Sequence, residues 1–310
     1  MRTRKKIKRA LEPMLVGALI MLARALPRRA GLGVFAGIGA LAARIASTDR
    51  RRAIENLGIA FPDAPAPIRR AMAAAMFKAL GRSAFEFLRL DGASRDEVTA
   101  RVQRVEGMEH FVAAHDRGHG VIVITGHIGC WELLPAYFVA IGYTANAVGR
   151  RMKVEQLNRR LVDVRRKLGV TTLDRDDNPR PMFELLGRGE VLGVLIDQHT
   201  RVAGTWVPFF GRPAYTPTAV AKLALATDAA IVPMGIYLDR RGRHTVRVLP
   251  EVATTRTGNR DDDVTTITAA CSLAVEQLIR VDPTQWVWFH HRWREPEDGT
   301  RVEAAYAAQA

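Results

Sequence analysis

The stretch that most constrains the fold is Val121-Ile-Val-Ile-Thr125, followed by Gly126-His127-Ile-Gly-Cys-Trp-Glu132-Leu-Leu. A short β-branched run of this kind reads as a buried strand. It stops at Thr125-Gly126, and the next residue is a histidine. A carboxylate follows five residues later, near the start of a helix expected over 131–141. A strand end that opens into a helix is where α/β folds bind ligands. Histidine beside glutamate is a pair able to take a proton from a hydroxyl near neutral pH. In one regular helix the two side chains would point about 140° apart and never meet. They meet only if His127 lies in the loop and Glu132 in the first helical turn, and Gly126 and Gly129 permit such a loop. Glu132 would then accept from one ring nitrogen and leave the other basic. The N–H groups at the helix start would face an anion or a developing oxyanion. Without further context, a histidine near a glutamate is more often a satisfied structural residue.

From Val105 onward the pattern alternates. Strands are expected at 121–125, 145–149, 170–173, 191–196, 230–237 and 244–249. Helices are expected at 131–141, 153–168, 180–188, 216–227 and 263–280, with a long loop at 197–215. Such alternation predicts an α/β fold with a mixed, mostly parallel central sheet flanked by helices. Upstream, residues 68–90 show helical periodicity through Met72, Met76, Leu80, Ala84 and Phe87. Ser94 with Glu97 three residues later is a capping box that starts another short helix.

The N-terminus is basic (Arg2, Arg4, Lys5, Lys6, Lys8, Arg9) and then apolar from Leu11 to Ala23. A second apolar run, 30–43, follows Pro27-Arg28-Arg29. No small-x-small cleavage site with a polar continuation follows, which argues against a secretory leader. Each run spans roughly 13 residues, about 20 Å of helix, against a hydrocarbon core of about 30 Å. Residues 1–46 are therefore read as a helical membrane anchor that dips into or barely spans a cytoplasmic-face bilayer, its basic tail cytoplasmic. The competing reading is a buried Ala/Leu hairpin. Residues 47–296 form the main domain, and 297–310 a frayed tail.

Charge narrows the partners. Lys and Arg total 46 against 32 Asp and Glu, a net +14. An excess of this size favours an anionic partner: nucleic acid, anionic lipid or an acidic carrier protein. Nucleic acid is disfavoured, because aromatics make up only 7% of the chain and no zinc spacing, RNP-like motif or helix-turn-helix is present. The two cysteines, Cys130 and Cys271, exclude a disulfide scaffold.

Further polar groups gather after strands. Asp197-Gln198 follows the apolar run 191–196, as a site wall or as a turn cap. Asp197 is either a second carboxylate near His127 or a group that orients a bound substrate. Arg150, Arg151 and Lys153, with Arg165 and Arg166 on the next helix, form a basic cluster suited to phosphate, or else a solvated face. Phe209 and Phe210 sit in an apolar loop that either contacts a fatty chain or packs on the sheet. Trp286 and Trp288 alternate as in a final strand, whereas Arg292 to Arg294 suit a surface role.

Gly126-His127-Ile-Gly-Cys-Trp-Glu132 resembles the His-x4-Asp/Glu motif of glycerolipid acyltransferases. In detail it is similar to the bacterial lipid A biosynthesis acyltransferases. Further stretches match in order: Arg52-Ala-Ile-Glu-Asn-Leu57-Gly-Ile-Ala-Phe-Pro62, Asp197-Gln198, Val207-Pro-Phe-Phe-Gly-Arg-Pro213 with Thr216-Pro-Thr218, Ala229-Ala-Ile-Val-Pro-Met234, and Gln285-Trp-Val-Trp-Phe-His-His-Arg292-Trp293. The resemblance covers residues 50 to about 295.

It implies transfer of a fatty acyl chain from a thioester, on acyl carrier protein or coenzyme A, to a hydroxyl of a lipid A precursor. It implies no metal and no cofactor. His127 would be the general base, Glu132 would hold its tautomer, and Cys130 would not be a nucleophile. It favours Arg165 or Arg166 as a substrate contact without choosing between them. Since the family also includes phosphatidylinositol mannoside acyltransferases, a glycolipid of that class is the alternative acceptor. A non-catalytic lipid-binding protein and a lipid hydrolase are the readings from other classes. The implied location is the cytoplasmic face of an inner membrane, against anionic lipid.

Overall fold

The structure is a computed structural model that describes residues 16–152 and 154–294. The basic segment before residue 16, Lys153 and the expected tail from 297 lie outside the described residues.

Seven strands form the central sheet: β1 (Val102–Glu106), β2 (Val121–Thr125), β3 (Ala145–Gly149), β4 (Thr171–Asp174), β5 (Val191–Leu195), β8 (Ala230–Leu238) and β9 (His244–Val248). Their spatial order is β1-β9-β8-β2-β5-β3-β4. From β8 to β4 every pairing is parallel, while β9 runs antiparallel to β8 and pairs in parallel with β1. The mostly parallel mixed sheet expected from the sequence is present. All five residues of β2 and all nine of β8 are buried, because helices cover both faces of a parallel sheet. Alternate residues of β2 serve opposite layers. Ile122 and Ile124 join Leu186, Leu223, Ile267 and Val275 on one face. Val121 and Val123 join Phe111, Leu133 and Phe138 on the other.

The helices are α1 (Val16–Ala25), α2 (Arg28–Ile45), α3 (Ser47–Ala60), α4 (Ala66–Leu88), α5 (Arg95–Arg101), α6 (Met108–His115), α7 (Leu133–Ala140), α8 (Glu155–Lys167), α9 (Arg180–Gly187), α10 (Ala219–Thr227) and α11 (Arg260–Val281). The capping box at α5 is formed as expected: the Ser94 side chain accepts from the Glu97 N–H, and Glu97 reaches back to the Ser94 N–H.

The expected long loop at 197–215 is instead a β-hairpin, β6 (Gly204–Phe209) and β7 (Arg212–Pro217), paired antiparallel. Its two turn residues, Phe210 and Gly211, both have positive φ, as a tight hairpin turn matched to strand twist requires. Phenylalanine is a poor residue for that conformation. It is held by its surroundings: Phe210 packs on Phe61 and Trp288, lies under the Arg280 guanidinium, and donates its N–H to Glu276. Trp286 and Trp288 do not form a strand. A single bridge ties Trp286 to Ile128, and both indoles are fully buried. Arg292 is buried as well, over the Phe209 ring and donating to Thr216 Oγ1, so the expected surface role does not apply to it.

At the N-terminus α2 packs along α4. A Cβ at Gly39 would run into the Phe77 carbonyl, and one at Gly81 into the Phe35 carbonyl, so the two backbones touch through glycine. Leu32, Phe35, Ala36 and Ala43 are buried on this face. The boundary placed at residue 46 therefore falls inside a packed unit. The opposite face of α2 exposes Val34, Ile38, Leu41 and Ile45, and α1 adds Met21 and Leu22. Among the described residues neither α1 nor α2 alone is long and apolar enough to form a span, and α2 meets α3 at a 93° bend. The helix among the described residues that is long and apolar enough to cross a bilayer on its own is α11, and it is a core helix through Ile267, Cys271, Val275 and Leu278.

Candidate active site

Strand register assembles the site. In the β2–β5 ladder Thr125 sits opposite Leu195. Two residues beyond each lie His127 and Asp197, so the parallel pairing delivers an imidazole and a carboxylate side by side at the carboxyl ends of neighbouring strands. Residue 126 has to be small, because a Cβ there would crowd the Asp197 carboxylate at 3.1 Å.

Asp197 is fully buried and accepts several hydrogen bonds. The His127 backbone N–H and the Trp286 indole N–H each donate to Oδ2 at 2.7 Å. His127 Nδ1 lies 2.9 Å from Oδ1 and 3.1 Å from Oδ2. Burial pushes the Asp197 carboxyl up, but the His127 charge and these hydrogen bonds outweigh burial and hold it well below the usual carboxylate range. An ionised carboxylate only accepts, so Nδ1 carries the proton and Nε2 is left with a lone pair. The ring keeps 23% of its surface exposed while Asp197 keeps none, which is the arrangement of a base with one working edge. Trp131 meets the ring edge-on, with centroids 4.9 Å apart.

The acid that orients His127 is thus Asp197, not Glu132. Glu132 precedes α7 rather than occupying its first turn, and it turns away to Arg165. Nε and one Nη of that guanidinium donate to its two oxygens, each at 2.8 Å. Among the described residues no hydrogen bond or ion pair joins Glu132 to His127. Arg165 is buried on α8, and its remaining Nη1 is buried without a hydrogen-bond partner among the described residues. Its neighbour Arg166 is exposed and pairs with Asp163, which settles which of the two faces inward. Arg150 is exposed, 4.0 Å from Asp176, and is not built into the cluster. Phe209 and Phe210 are buried against Trp286, Trp288 and Trp293. They are core residues, not the wall of a cleft, and this corrects the acyl-contact reading. Gln198 stands over His127 and beside His290. Burial pushes the Cys130 thiol up, which leaves it protonated and inert as a nucleophile.

The apolar cleft lies elsewhere. Leu80, Ala84 and Phe87 of α4, Leu157, Leu161 and Val164 of α8, and Val16 of α1 line a groove of about 1070 Å³ that reaches residues 129–132 beside the imidazole. From Leu80 to Leu88 it follows about 12 Å of α4 at helical rise. A second, narrower slot beneath α7 is bounded by Val123, Phe138, Ala147 and Leu195 and shares Trp131 and Glu132 with the groove. Sequence reading found the periodic face of α4 without seeing that α8 and α1 leave it uncovered. Trp286 as a donor to Asp197 and Asp91 at the groove rim were missed, and no local signal marks either.

A profile of the family "Bacterial lipid A biosynthesis acyltransferase" matches residues 2–295. The chain is 29% identical over 278 residues to the phosphatidylinositol mannoside acyltransferase of Mycobacterium tuberculosis (strain ATCC 25618 / H37Rv), covering 88% of this chain and 85% of that one. It is 28% identical over 276 residues to the protein of that name from Mycolicibacterium smegmatis, covering 88% of each. To the lipid A biosynthesis lauroyltransferase of Escherichia coli (strain K12) it is 26% identical over 275 residues, covering 85% of each. With the family matched along nearly the whole chain and an oriented imidazole beside an apolar groove, the chain belongs to the bacterial lipid A biosynthesis acyltransferase family and is an acyltransferase.

Proposed function

We propose that this protein moves a fatty acyl chain from a thioester to a hydroxyl of a membrane glycolipid, with His127 as general base. The observation that carries the reading is the Asp197–His127 pair, whose imidazole meets Trp131 of the α4/α8 groove wall. The acceptor hydroxyl gives its proton to His127 Nε2 while its oxygen attacks the thioester carbonyl carbon. The C–S bond breaks, and the imidazolium returns the proton to the departing thiolate. Asp197 offsets the charge that His127 gains. Glu132 acts through Arg165: it fixes the guanidinium, whose free Nη1 is a donor for a carbonyl or phosphate oxygen of the substrates. The groove takes the fatty chain. The donor is acyl carrier protein or coenzyme A thioester, and the net +14 suits the acidity of either.

The acceptor expected from the sequence is a lipid A precursor, with phosphatidylinositol mannoside as the alternative. The mannoside class now takes precedence, because relatives so named align at higher identity than the lauroyltransferase. The exposed apolar stripe of α1 and α2, flanked by the exposed Arg24, Arg29 and Arg44, supports docking in the plane of an anionic cytoplasmic-face membrane rather than crossing it.

The test is to give the purified protein a thioester donor with each acceptor and weigh the lipid products. A mannoside gaining one acyl chain supports the proposal. Acylation of the lipid A precursor alone reverses the acceptor order. Free fatty acid released equally without acceptor makes the protein a hydrolase, and no turnover with either acceptor makes it a lipid-binding protein.

A further inference from the structure

A second imidazole stands beside the first. The rings of His290 and His127 have centroids 5.3 Å apart. The backbone there is held by Asn56, whose side-chain N–H donates to the Trp288 and His290 carbonyls at 2.6 and 2.7 Å. His290 Nε2 lies 2.8 Å from the Gln198 amide nitrogen. Burial drives the His290 imidazole down to about 4, so it is neutral near pH 7. An amide nitrogen only donates, so His290 Nε2 is the acceptor and its proton resides on Nδ1.

That same amide nitrogen is 3.2 Å from His127 Nδ1 and 3.2 Å from His127 Nε2. In the ring plane, a point equally far from both nitrogens at this distance would collide with the carbon between them. The amide therefore lies over the ring face, in line with neither lone pair, and a hydrogen bond to Nε2 from there is poorly directed.

We propose that His290 is a positioning residue that anchors the Gln198 amide over the face of His127 and so keeps the Nε2 lone pair open to the substrate hydroxyl. This rests on His127 being the base. Without the His290 acceptor the amide of the half-buried Gln198 loses its partner, and a small rotation carries it to Nε2. There it competes with the hydroxyl for the lone pair. It also stabilises the neutral ring, which moves the acid limb of the rate profile to lower pH.

The test measures consumption of palmitoyl coenzyme A with a phosphatidylinositol mannoside acceptor, across pH, for wild type, H290F, Q198A and the double variant. H290F is expected to lower kcat about tenfold or more, with the thioester KM little changed and the acid limb displaced downward. In the Q198A background the same substitution is expected to cost less than about twofold, because its target is gone. H290N, which restores an acceptor oxygen and controls for folding, is expected to recover most of the rate. Equal losses in both backgrounds, or an acid limb that stays in place, overturn the proposal. Wild type that transfers nothing would instead remove the reading of His127, and this inference with it.

Discussion

Among the described residues two buried carboxylates face a histidine, and they are used differently. Asp197 meets His127 at 2.9 Å, and Glu86 of α4 lies 3.7 Å from His244 of β9. At Asp197 the donors are His127 and the Trp286 indole, with no arginine or lysine hydrogen-bonded to it among the described residues. At Glu86, Arg28 approaches to 2.8 Å and Arg101 to 3.5 Å. Burial raises the Glu86 carboxyl, but His244 and the two guanidinia outweigh it and hold it low. His244 is sealed, and burial drives it below its usual value despite the acid. The difference lies in what neutralises the acid. An acid shared with two guanidinia has less charge to lend its histidine, too little to offset burial, and the cluster ties α2, α4, α5 and β9 together. An acid served only by neutral donors and one accessible imidazole keeps its charge available to stabilise a positive charge on that imidazole, as the proposed role of His127 as base requires.

The comparison breaks most easily at His127. H127A is expected to lower transfer by roughly 10²–10⁴-fold with the protein still folded at the assay temperature. Initial rates and a thermal melt check both parts, and substantial transfer by H127A would remove the distinction between the two pairs. D197N keeps the shape of the site but no longer demands a proton on Nδ1. It is expected to cut kcat on the order of 10³-fold, as removal of a tautomer-setting acid does. E86Q should do the reverse. It leaves Arg28 and Arg101 short of a buried counter-charge and is expected to cost about 3 kcal/mol of stability in denaturant unfolding, with kcat per folded molecule preserved.

The smallest effect is the pH dependence of stability. The folded value of His244 lies below its ordinary 6.5, so the unfolded chain takes up this proton first as pH falls. Stability from keeping the ring neutral is full above about 6.5 and is lost on acidification toward the folded value, by at most about 1.4 kcal/mol per pH unit. His290, displaced to about 4, adds a second loss of the same sign. Glu86, held low, adds its own only below the ordinary carboxylate range. Melting temperature is therefore expected to fall between pH 7 and 5, and to fall less steeply in H244L. An equal slope in H244L would make His244 a bystander.

How much of this was legible depends on whether the signal was local. The run 121–125, the Ser94–Glu97 box and the periodic face of α4 are contained within a few residues, and each formed where expected. The hairpin at 204–217 was hidden because Trp206, Val207, Phe209 and Phe210 are apolar on both sides of the pleat and a phenylalanine occupies a turn position that favours glycine or asparagine. Strand β1, at the sheet edge and half exposed, offers only Val102 and Val105 as apolar positions. His127 was found from its motif, and Asp197 was one candidate for a nearby acid, but the orienting role was assigned to Glu132. A glutamate five residues away is visible in the sequence, whereas Asp197 becomes a neighbour only through the pairing of β2 with β5. The same applies to Arg165: its residue type was readable, and its orientation toward Glu132 required the helix to be placed.

The Thr125–Leu195 register has a consequence for synthesis. A growing chain that has not yet emerged past residue 197 carries the imidazole without the carboxylate that aims it, and without the indole that steadies that carboxylate some ninety residues further on. The arrangement proposed to act on thioesters is therefore completed late, when the last portion of the polypeptide docks, and a partial translation product lacks it.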